Sequence, residues 1–335
     1  MEHPIVFSTD NNYLPFVGVA LQSLLNHIEP DDKFHVYIFH KRLSDTNRSK
    51  IKNMETSNLK ISFFNIQDFL KIDNKLLKTR AHYTEEMYYR CLIPSLFAQY
   101  QKVLYVDCDL VFNVNPKVFF DIDIGNSLMG VVHDIGVLDT STKNYKYVKS
   151  IGVKPEQYFN SGVLIMNIPE LCNFNLYEHF LNIISQGKTF LFPDQDILNI
   201  ICSNKICFLD YRYNFQWMSL LNYSSKEDFS DQTLFEKYIK AAQKPYVIHY
   251  TGGIKPWGEP AKFLADYFWK HARLSPFYEE ILFKSILQKT GNCLNVKKVE
   301  YYKYKILSKL PTKKQKHYSK KFDILKTKLE SIDRI

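Results

Sequence analysis

Residues 102–112 read KVLYVDCDLVF, and this stretch decides the fold class. An apolar run leads to Asp107-Cys108-Asp109 and resumes at Leu110, so the pattern predicts one buried β-strand over the whole stretch. Similar short apolar runs predict further strands at 5–8, 34–39, 61–64, 128–132, 162–167, 206–209 and 246–249.

Apolar residues at helical spacing lie between these strands. They predict helices at 16–24, 44–54, 84–100, 176–185, 196–201, 261–273 and 277–287. The helix over 84–100 carries Arg90, and Pro94 within it predicts a kink or a restart. Because strands alternate with helices, we expect an α/β fold with a mostly parallel sheet and functional side chains at the carboxyl ends of its strands.

The composition narrows the class of protein. The chain has 335 residues, 45% of them apolar and 24% charged, which excludes a disordered chain. Its apolar runs are far shorter than the roughly 18 residues needed to span a bilayer, and its start lacks the features of a secretory signal. Six cysteines without a C-x-x-C pair are typical of a reduced compartment, so we expect a cytoplasmic protein.

The positive charge is confined to the end of the chain. Residues 291–335 hold 12 lysines and one arginine against four acidic residues, which equals the whole net charge of +9. Within 296–310 one arc of a helical wheel contains Val296, Val299, Tyr302, Ile306 and Leu310, with Lys303 among them, as in segments that lie on anionic membranes. A packed helix with a solvated lysine face and a nucleic-acid contact remain alternatives, although the neutral charge of the remaining residues argues against a nucleic-acid groove across the domain.

Two carboxylates follow the strongest predicted strand. Asp107 and Asp109 are two residues apart, so on a strand they point to one side and could bind one divalent ion. Mg²⁺ and Mn²⁺ prefer oxygen ligands and often bind substrate phosphates as well. The motif alone has a second interpretation, a surface turn, because D-x-D also occurs at 121–123 and 194–196.

Residues 249–257, HYTGGIKPW, form the second group of residues that could bind a ligand or take part in catalysis. His249 ends a predicted strand and is a plausible third metal ligand. The glycine pair allows backbone N–H groups to approach an anion closely, and Lys255 offers a positive charge to a phosphate. The alternative is a structural histidine followed by an ordinary glycine turn.

Taken together and in order, the motifs resemble glycosyltransferase family 8. They cover about residues 4–275 and are similar to those of bacterial lipopolysaccharide galactosyl- and glucosyltransferases. The matching segments are 10–13 (DNNY), Arg90, 107–109 (DCD), 159–163 (FNSGV), 194–199 (DQDILN) and 249–257.

This resemblance implies a GT-A catalytic domain over residues 1–275, followed by a helical, Lys-rich, membrane-associating tail over 276–335. It implies Asp107, Asp109 and His249 as ligands of Mn²⁺ (or Mg²⁺). It also implies uridine contacts by Ser8, Asp10, Asn12 and Tyr13, diphosphate contacts by Gly252 and Lys255, and donor-sugar contacts by Arg90, Asp107, Asp134, Asn160, Ser161, Asp194 and Gln195.

The implied reaction transfers galactose or glucose from a UDP-sugar to a lipid-linked saccharide with retention, at the cytoplasmic face of the inner membrane. Gln195 and Asp196 are the nearest candidates for an attacking side chain, with Asp194 beside them, and direct attack by the acceptor from the face that UDP leaves is the alternative. Asp196 could instead cap a helix, and Arg90 could form a structural ion pair. Two other functions remain open, a nucleotidyltransferase acting on a sugar phosphate and a non-catalytic module that binds membrane or nucleic acid.

Overall fold

Seven strands form the central sheet of the computed structural model, which describes residues 2–69, 85–218 and 229–286 and eight isolated positions beyond them. Three further short strands form a second sheet. In chain order the ten strands are β1 His3–Ser8, β2 Phe34–His40, β3 Leu59–Asn65, β4 Lys102–Val106, β5 Leu110–Phe112, β6 Met129–His133, β7 Phe159–Asn167, β8 Ile206–Phe208, β9 Phe215–Gln216 and β10 Val247–His249.

The central sheet has the strand order β3-β2-β1-β4-β7-β6-β8. All neighbours are parallel except β7, which runs antiparallel to β4 and to β6. The prediction of a mostly parallel sheet is therefore confirmed. Because β7 is reversed, its first residues lie beside the last residues of β4, with Val163 opposite Val106. One edge of the sheet thus collects the ends of β1 and β4 and the beginning of β7.

The second sheet corrects the prediction of one strand over 102–112. β5 pairs antiparallel with β10, and β10 pairs parallel with β9, so β4 and β5 belong to different sheets. Between them the Asp107 N–H donates to the Gly162 carbonyl in the central sheet, while the Asp109 carbonyl accepts from the Tyr250 N–H after β10. The apolar residues before and after Asp107-Cys108-Asp109 indicate that both segments are buried. They do not indicate that the two segments belong to different sheets.

Eleven α-helices have bounds within the described residues. They are α1 Leu14–Leu25, α2 Asp45–Lys52, α3 Ile93–Leu96, α4 Lys117–Phe120, α5 Ile135–Leu138, α6 Lys143–Ser150, α7 Ile168–Asn173, α8 Leu176–Ser185, α9 Pro193–Cys202, α10 Gln232–Gln243 and α11 Ala265–Ala272. Short 3-10 helices cover Ile66–Asp68, Glu85–Leu92, Pro155–Gln157 and Tyr211–Asn214.

Local sequence explains where several helices begin. Ser44 accepts a hydrogen bond from the Asn47 N–H at the start of α2, and Pro15 lies in the first turn of α1. Helix α1 is buried almost all round because it packs against β5 and α11. Helices α6 and α10 were missing from the prediction, although the buried residues of α10, Phe235, Tyr238, Ala241 and Ala242, recur at helical spacing.

The predicted helix over 84–100 is wrong in type and length. Residues Glu85–Leu92 form a 3-10 helix, and the α-helix α3 covers only Ile93–Leu96, while Thr84 lies outside the described residues. Pro94 lies in the first turn of α3, so the predicted restart is confirmed. All residues from 87 to 92 are buried, including Arg90, whereas a surface α-helix would expose one face.

The chain divides into two compact units, Met1–Tyr278 and Glu279–Ile335. The first unit contains all ten strands. Residues 278–286 are helical, and most of the predicted tail lies outside the described residues, so the division at 275 and the helical tail stay predictions. No helix in the described part of the chain is both long and apolar enough to span a bilayer.

His271, in the last turn of α11, is a buried histidine that accepts a hydrogen bond. Its Nδ1 lies 3.0 Å from Asn26 Nδ2, and the Oδ1 atom of Asn26 already accepts from Gln22 Nε2. Burial, reinforced by nearby His27 and Lys270, lowers the pKa of His271 to about 4. Between this value and the pKa of about 6.5 of an unfolded histidine, the unfolded chain binds more protons, so stability falls as the pH decreases.

We predict that His271→Gln reduces the loss of stability between pH 7.5 and pH 5.0. The wild-type imidazole contributes about 2 kcal/mol to this loss, and glutamine keeps an acceptor without titrating. Urea unfolding at the two pH values measures the difference. The exposed His179→Gln variant is the control and should keep the wild-type pH dependence. Equal pH dependence of His271→Gln and wild type would contradict the prediction.

Candidate active site

A cavity of about 260 Å³ opens at the sheet edge where β1, β4 and β7 meet. Loops after β1, β4 and β10, the beginning of β7 and the first turn of α9 form its walls. Its lining includes Ser8, Thr9, Asp10, Tyr13, Glu86, Met87, Arg90, Tyr105, Asp107, Cys108, Asp109, Asp134, Asn160, Ser161, Phe192, Asp194, Gln195, His249, Thr251, Gly252 and Lys255. The motifs that are far apart in the sequence therefore meet at one place.

Asp107, Asp109 and His249 form a cluster of possible metal ligands. One ligand atom of each lies within 4.8 Å of the others. His249 Nε2 is 3.3 Å from Asp109 Oδ1 and 3.7 Å from Asp107 Oδ2. Two carboxylates and one imidazole form a donor set that fits a divalent cation such as Mn²⁺ or Mg²⁺.

Lys255 contacts the same cluster from the loop after β10. Its ammonium group donates to Asp109 Oδ2 and to the Tyr250 carbonyl. Burial would raise the pKa of Asp109, but the charges and hydrogen bonds of Lys255 and His249 outweigh it and lower the pKa. Asp109 is therefore ionised at neutral pH, which is the form that binds a metal.

Arg90 is a buried cation between two cavity carboxylates. It lies 2.9 Å from Asp107 Oδ1 and 3.3 Å from Asp194 Oδ2, and it also donates to the Ser161 carbonyl. Burial lowers the pKa of Arg90, but Asp107 and Asp194 raise it by more, so the guanidinium stays charged. A structural ion pair was one interpretation of Arg90 in the sequence, and Arg90 does form such ion pairs. It also lines the cavity.

Gln195 lies at the centre of a hydrogen-bonded polar wall. Its Oε1 accepts from Asn160 Nδ2 and from the Ser161 N–H, both at 3.1 Å. Its Nε2 donates to Asp134 Oδ2 at 2.9 Å and to Tyr158 Oη at 3.2 Å. Burial raises the pKa of Asp134. Beside this wall Ser161 Oγ donates to Asp194 Oδ2 at 2.9 Å.

The side chain of Asp196 lies outside the cavity lining, unlike those of Asp194 and Gln195. It is fully buried and accepts hydrogen bonds from Tyr147 Oη at 2.6 Å, from Tyr158 Oη at 2.5 Å and from the Phe192 N–H at 2.9 Å. This arrangement makes Asp196 a structural residue at the start of α9. The geometry therefore does not support Asp196 as an attacking side chain.

The opposite end of the cavity contains the residues after β1. Ser8, Asp10 and Tyr13 line it, whereas Asn12 is exposed and donates to Asp10 Oδ2 at 3.1 Å. Ser8 Oγ is buried and has no hydrogen-bond partner among the described residues, so it is available to a ligand. Burial, with a contribution from Asp109, raises the pKa of Tyr13 to about 12, so its hydroxyl stays protonated.

Several residues of the site were missing from the sequence prediction. Glu86, Met87 and Phe192 line the cavity, and Asn214 Oδ1 lies 2.9 Å from His249 Nδ1. Phe192 is two residues before Asp194, so its closeness to the motif at 194–199 could have predicted that it lines the cavity. Asn214 belongs to no motif, and only the folded chain brings it to His249.

Gly162 is required by the close approach of the Asp107 and His249 side chains. A Cβ atom there would lie 2.1 Å from His249 Cε1 and 2.8 Å from Asp107 Oδ2. Contacts this short force the ring or the carboxylate to move. Gly162 therefore leaves the space in which these two side chains meet.

Comparison with known proteins agrees with this geometry. Residues 4–261 match the sequence profile described as Glycosyl transferase family 8. The chain belongs to glycosyl transferase family 8. It is therefore a glycosyltransferase, and the resemblance found in its sequence is confirmed. Membership of this family also decides against the nucleotidyltransferase and against the non-catalytic module.

Two relatives in the family illustrate its range. The lipopolysaccharide 1,2-glucosyltransferase of Escherichia coli strain K12 is 27% identical over 277 residues, which cover 80% of this chain and 76% of that protein. The lipopolysaccharide 1,3-galactosyltransferase of Salmonella typhimurium strain LT2 is 25% identical over 279 residues, which cover 82% of this chain and 78% of that protein.

Solved structures confirm the GT-A fold. Galactosyltransferase LgtC, in complex with donor and acceptor sugar analogs, has a TM-score of 0.68 at 25% identity, with 82% of this chain and 96% of LgtC covered. The bifunctional glycosyltransferase WbbM has a TM-score of 0.74 at 25% identity. That match covers 85% of this chain but 51% of WbbM, so this chain spans about half of the WbbM chain.

If the cluster binds a divalent cation, we predict that Gly162→Ala weakens this binding, with Mn²⁺ as the probe, by at least about ten-fold, because the new methyl group displaces His249. Calorimetric titration with Mn²⁺ measures the effect. Val163→Ala on the same strand is the control, since its side chain points to the other face of the sheet and should leave Mn²⁺ affinity unchanged. Wild-type Mn²⁺ affinity in Gly162→Ala would show that the site tolerates the extra atom.

Proposed function

We propose that this family 8 glycosyltransferase moves galactose or glucose from a UDP-sugar to a lipid-linked saccharide, with retention and with Mn²⁺ or Mg²⁺. The observation that carries the proposal is the cluster of Asp107, Asp109 and His249 in the cavity lining. Ser8, Asp10 and Tyr13 belong to the end of β1 and the loop after it on one side of β4, and the polar wall around Gln195 includes residues of β7 and of the loop after β6 on the other side. A nucleotide, a diphosphate and a sugar would follow one another in that order.

The charges of the cavity support a metal-bound diphosphate. Among the described lining residues, six carboxylates face only Arg90 and Lys255 as permanent cations. A divalent cation held by the cluster would supply positive charge that stabilises the departing diphosphate. The diphosphate in turn would give Lys255 an anionic partner in addition to Asp109.

Gly252 supports the same assignment of the loop after β10. Its φ of +77° is a conformation that favours glycine, and a Cβ atom there would lie 2.8 Å from Met218 Cγ. A bulkier residue would therefore change the path of the loop that carries Lys255. We assign both residues to diphosphate binding, the backbone of Gly252 by close approach and Lys255 by charge.

The polar wall is suited to the hydroxyl groups of a hexose. Asp134, Asn160, Asp194 and Gln195 offer carboxylate and amide groups held by hydrogen bonds to one another or to their neighbours. We assign the donor-sugar contacts to these residues together with Arg90, Asp107 and Ser161. Galactose and glucose differ at one hydroxyl, so a single contact in this wall can decide the donor.

The hydrogen bonds of Gln195 bear on how the sugar is transferred. Both lone pairs of Oε1 accept hydrogen bonds, from Asn160 and from Ser161. An amide oxygen engaged in this way is a poor nucleophile, because attack requires the loss of those bonds. We therefore favour direct attack by the acceptor hydroxyl from the face that UDP leaves, with Gln195 and Asp194 holding the sugar.

The acceptor and the location of the enzyme belong to the same proposal. Relatives in the family are lipopolysaccharide glycosyltransferases by name, which supports a saccharide acceptor anchored in lipid. A Lys-rich tail on an anionic membrane surface would hold the enzyme beside such an acceptor at the cytoplasmic face of the inner membrane. Nucleic acid is not a proposed partner.

We predict that the protein releases UDP from UDP-galactose or UDP-glucose when Mn²⁺ is present. Asp109→Ala and His249→Ala should lower Mn²⁺-dependent UDP affinity by more than about 10–100-fold. That is the typical loss when a residue hydrogen-bonded to a metal ligand is removed, and these variants remove a proposed ligand itself. A UDP-release assay and calorimetry measure the two effects. Asp121→Ala is the matched control, because it removes an exposed aspartate from another D-x-D motif outside the cavity.

Two results would contradict this function. One is the absence of UDP release from both donors, with and without lipid-linked saccharides. The other is wild-type UDP affinity in Asp109→Ala and His249→Ala at saturating Mn²⁺.

For the tail we predict that simultaneous change of Lys313, Lys314 and Lys316 to Gln weakens binding to vesicles containing phosphatidylserine. At roughly 1 kcal/mol per lysine the loss is about 100-fold. Sedimentation with vesicles measures it. The control changes Lys143, Lys146 and Lys149, three exposed lysines of α6, to Gln and should bind as wild type. Equal losses in the two variants would refute a specific role of the tail.

A further inference from the structure

The side-chain amide of Asn214 connects the metal-ligand cluster to the polar wall of the cavity. Asn214 is fully buried and ends the 3-10 helix Tyr211–Asn214, directly before β9. Its Oδ1 lies 2.9 Å from His249 Nδ1, and its Nδ2 donates to Asn160 Oδ1 at 2.8 Å. It therefore contacts both a metal ligand and a residue of the sugar-binding wall.

The neighbouring hydrogen bonds determine which way this amide points. Asn160 Oδ1 accepts from the Gly162 N–H at 3.0 Å, and a backbone N–H can only donate. The atom of Asn160 that faces Asn214 is therefore an oxygen. Asn214 must present its NH₂ group to that oxygen, which leaves its own oxygen facing His249.

This orientation selects one tautomer of His249. An amide oxygen can only accept, so Nδ1 of the imidazole must carry the hydrogen. With the Nδ1 hydrogen fixed in this way, Nε2 beside Asp107 and Asp109 is the nitrogen whose lone pair can coordinate a metal bound by these carboxylates. In metal sites a partner of this kind holds the ring and increases metal affinity.

We propose that Asn214 is a positioning residue for the reaction. It holds His249 in the Nδ1–H tautomer with Nε2 directed at the metal. Asn214 also acts on Gln195 through Asn160, whose Nδ2 donates to Gln195 Oε1. It thereby holds the Gln195 amide at a fixed position relative to the metal site. This inference rests on the metal site proposed above, and its test separates the two.

Substitution by aspartate separates the two contacts of Asn214. A carboxylate accepts from His249 Nδ1–H as well as an amide does, so metal binding should persist. It cannot donate to Asn160 Oδ1, and two oxygens then face each other. Rotation of the Asn160 amide would not relieve this, because its NH₂ group would then face the Gly162 N–H and its oxygen would face Gln195 Oε1.

The experiment compares Asn214→Ala and Asn214→Asp with the wild-type full-length protein. Calorimetric titration with Mn²⁺ should give a loss of roughly 10–100-fold for Asn214→Ala and an affinity within a few-fold of wild type for Asn214→Asp. UDP release should fall in both variants, in Asn214→Asp through kcat. Wild-type Mn²⁺ affinity in Asn214→Ala, or a loss in Asn214→Asp as large as in Asn214→Ala, would overturn the proposal.

The tautomer of His249 is a direct readout that needs neither metal nor activity. In metal-free protein with ¹⁵N-labelled histidine, NMR should show the hydrogen of His249 on Nδ1, with the signal assigned by its absence from His249→Gln. An Nδ1 without a hydrogen in the wild-type protein would refute the role of Asn214, even if Asn214→Ala does not fold. If the wild-type protein bound no Mn²⁺, the metal site would fail, and the tautomer would still decide the role of Asn214.

Gln216→Ala is the matched control for lost stability. Gln216 is a buried amide two residues further along the chain, where it donates to the His133 carbonyl and accepts from the Ile135 N–H. Its removal also breaks one buried and one partly buried hydrogen bond, but it does not remove the partner of His249 Nδ1. Mn²⁺ affinity should remain at the wild-type value in Gln216→Ala, and a loss equal to that of Asn214→Ala would contradict a specific positioning role.

Discussion

The crowding of carboxylates in one partly buried cavity is the constraint on which the rest of this structure depends. Asp107 and Asp109 lie within reach of the same imidazole nitrogen, and Asp194 lies within reach of the guanidinium that pairs with Asp107. Like charges at such distances repel each other strongly unless cations lie between them. Arg90 and Lys255 provide part of that charge, and we propose that a divalent cation and its diphosphate complete the balance.

The fold meets this constraint by bringing two sheets together at the Asp-Cys-Asp segment. The chain leaves the central sheet after β4 and enters the second sheet at β5, so both carboxylates lie where the sheets meet. His249 comes from the second sheet, and Gly162 of the central sheet leaves room for its ring. The ligand cluster is thus a product of the junction and of neither sheet alone.

A series of hydrogen bonds then extends from the proposed metal ligands to the residues proposed to hold the sugar. The order is His249, Asn214, Asn160, Gln195 and Asp134. Every step is buried or partly buried, where an unpaired polar group is costly, so each amide is restricted to one orientation. Such a wall can bind hydroxyl groups without rearranging first, which favours a site already shaped for its donor.

The sequence by itself determined the α/β class, the family and most of the cavity residues, because apolar runs mark buried strands and the ordered motifs lie at their ends. It failed at the break after Val106 and at the buried 3-10 helix around Arg90, and it left open the role of Asp196, which two tyrosines hold away from the cavity. Only the tertiary structure decided these points and the contact between Asn214 and His249. Hydrophobic periodicity reports whether a side chain is buried, whereas sheet membership and hydrogen-bond partners depend on residues that are distant in the chain and adjacent only after folding.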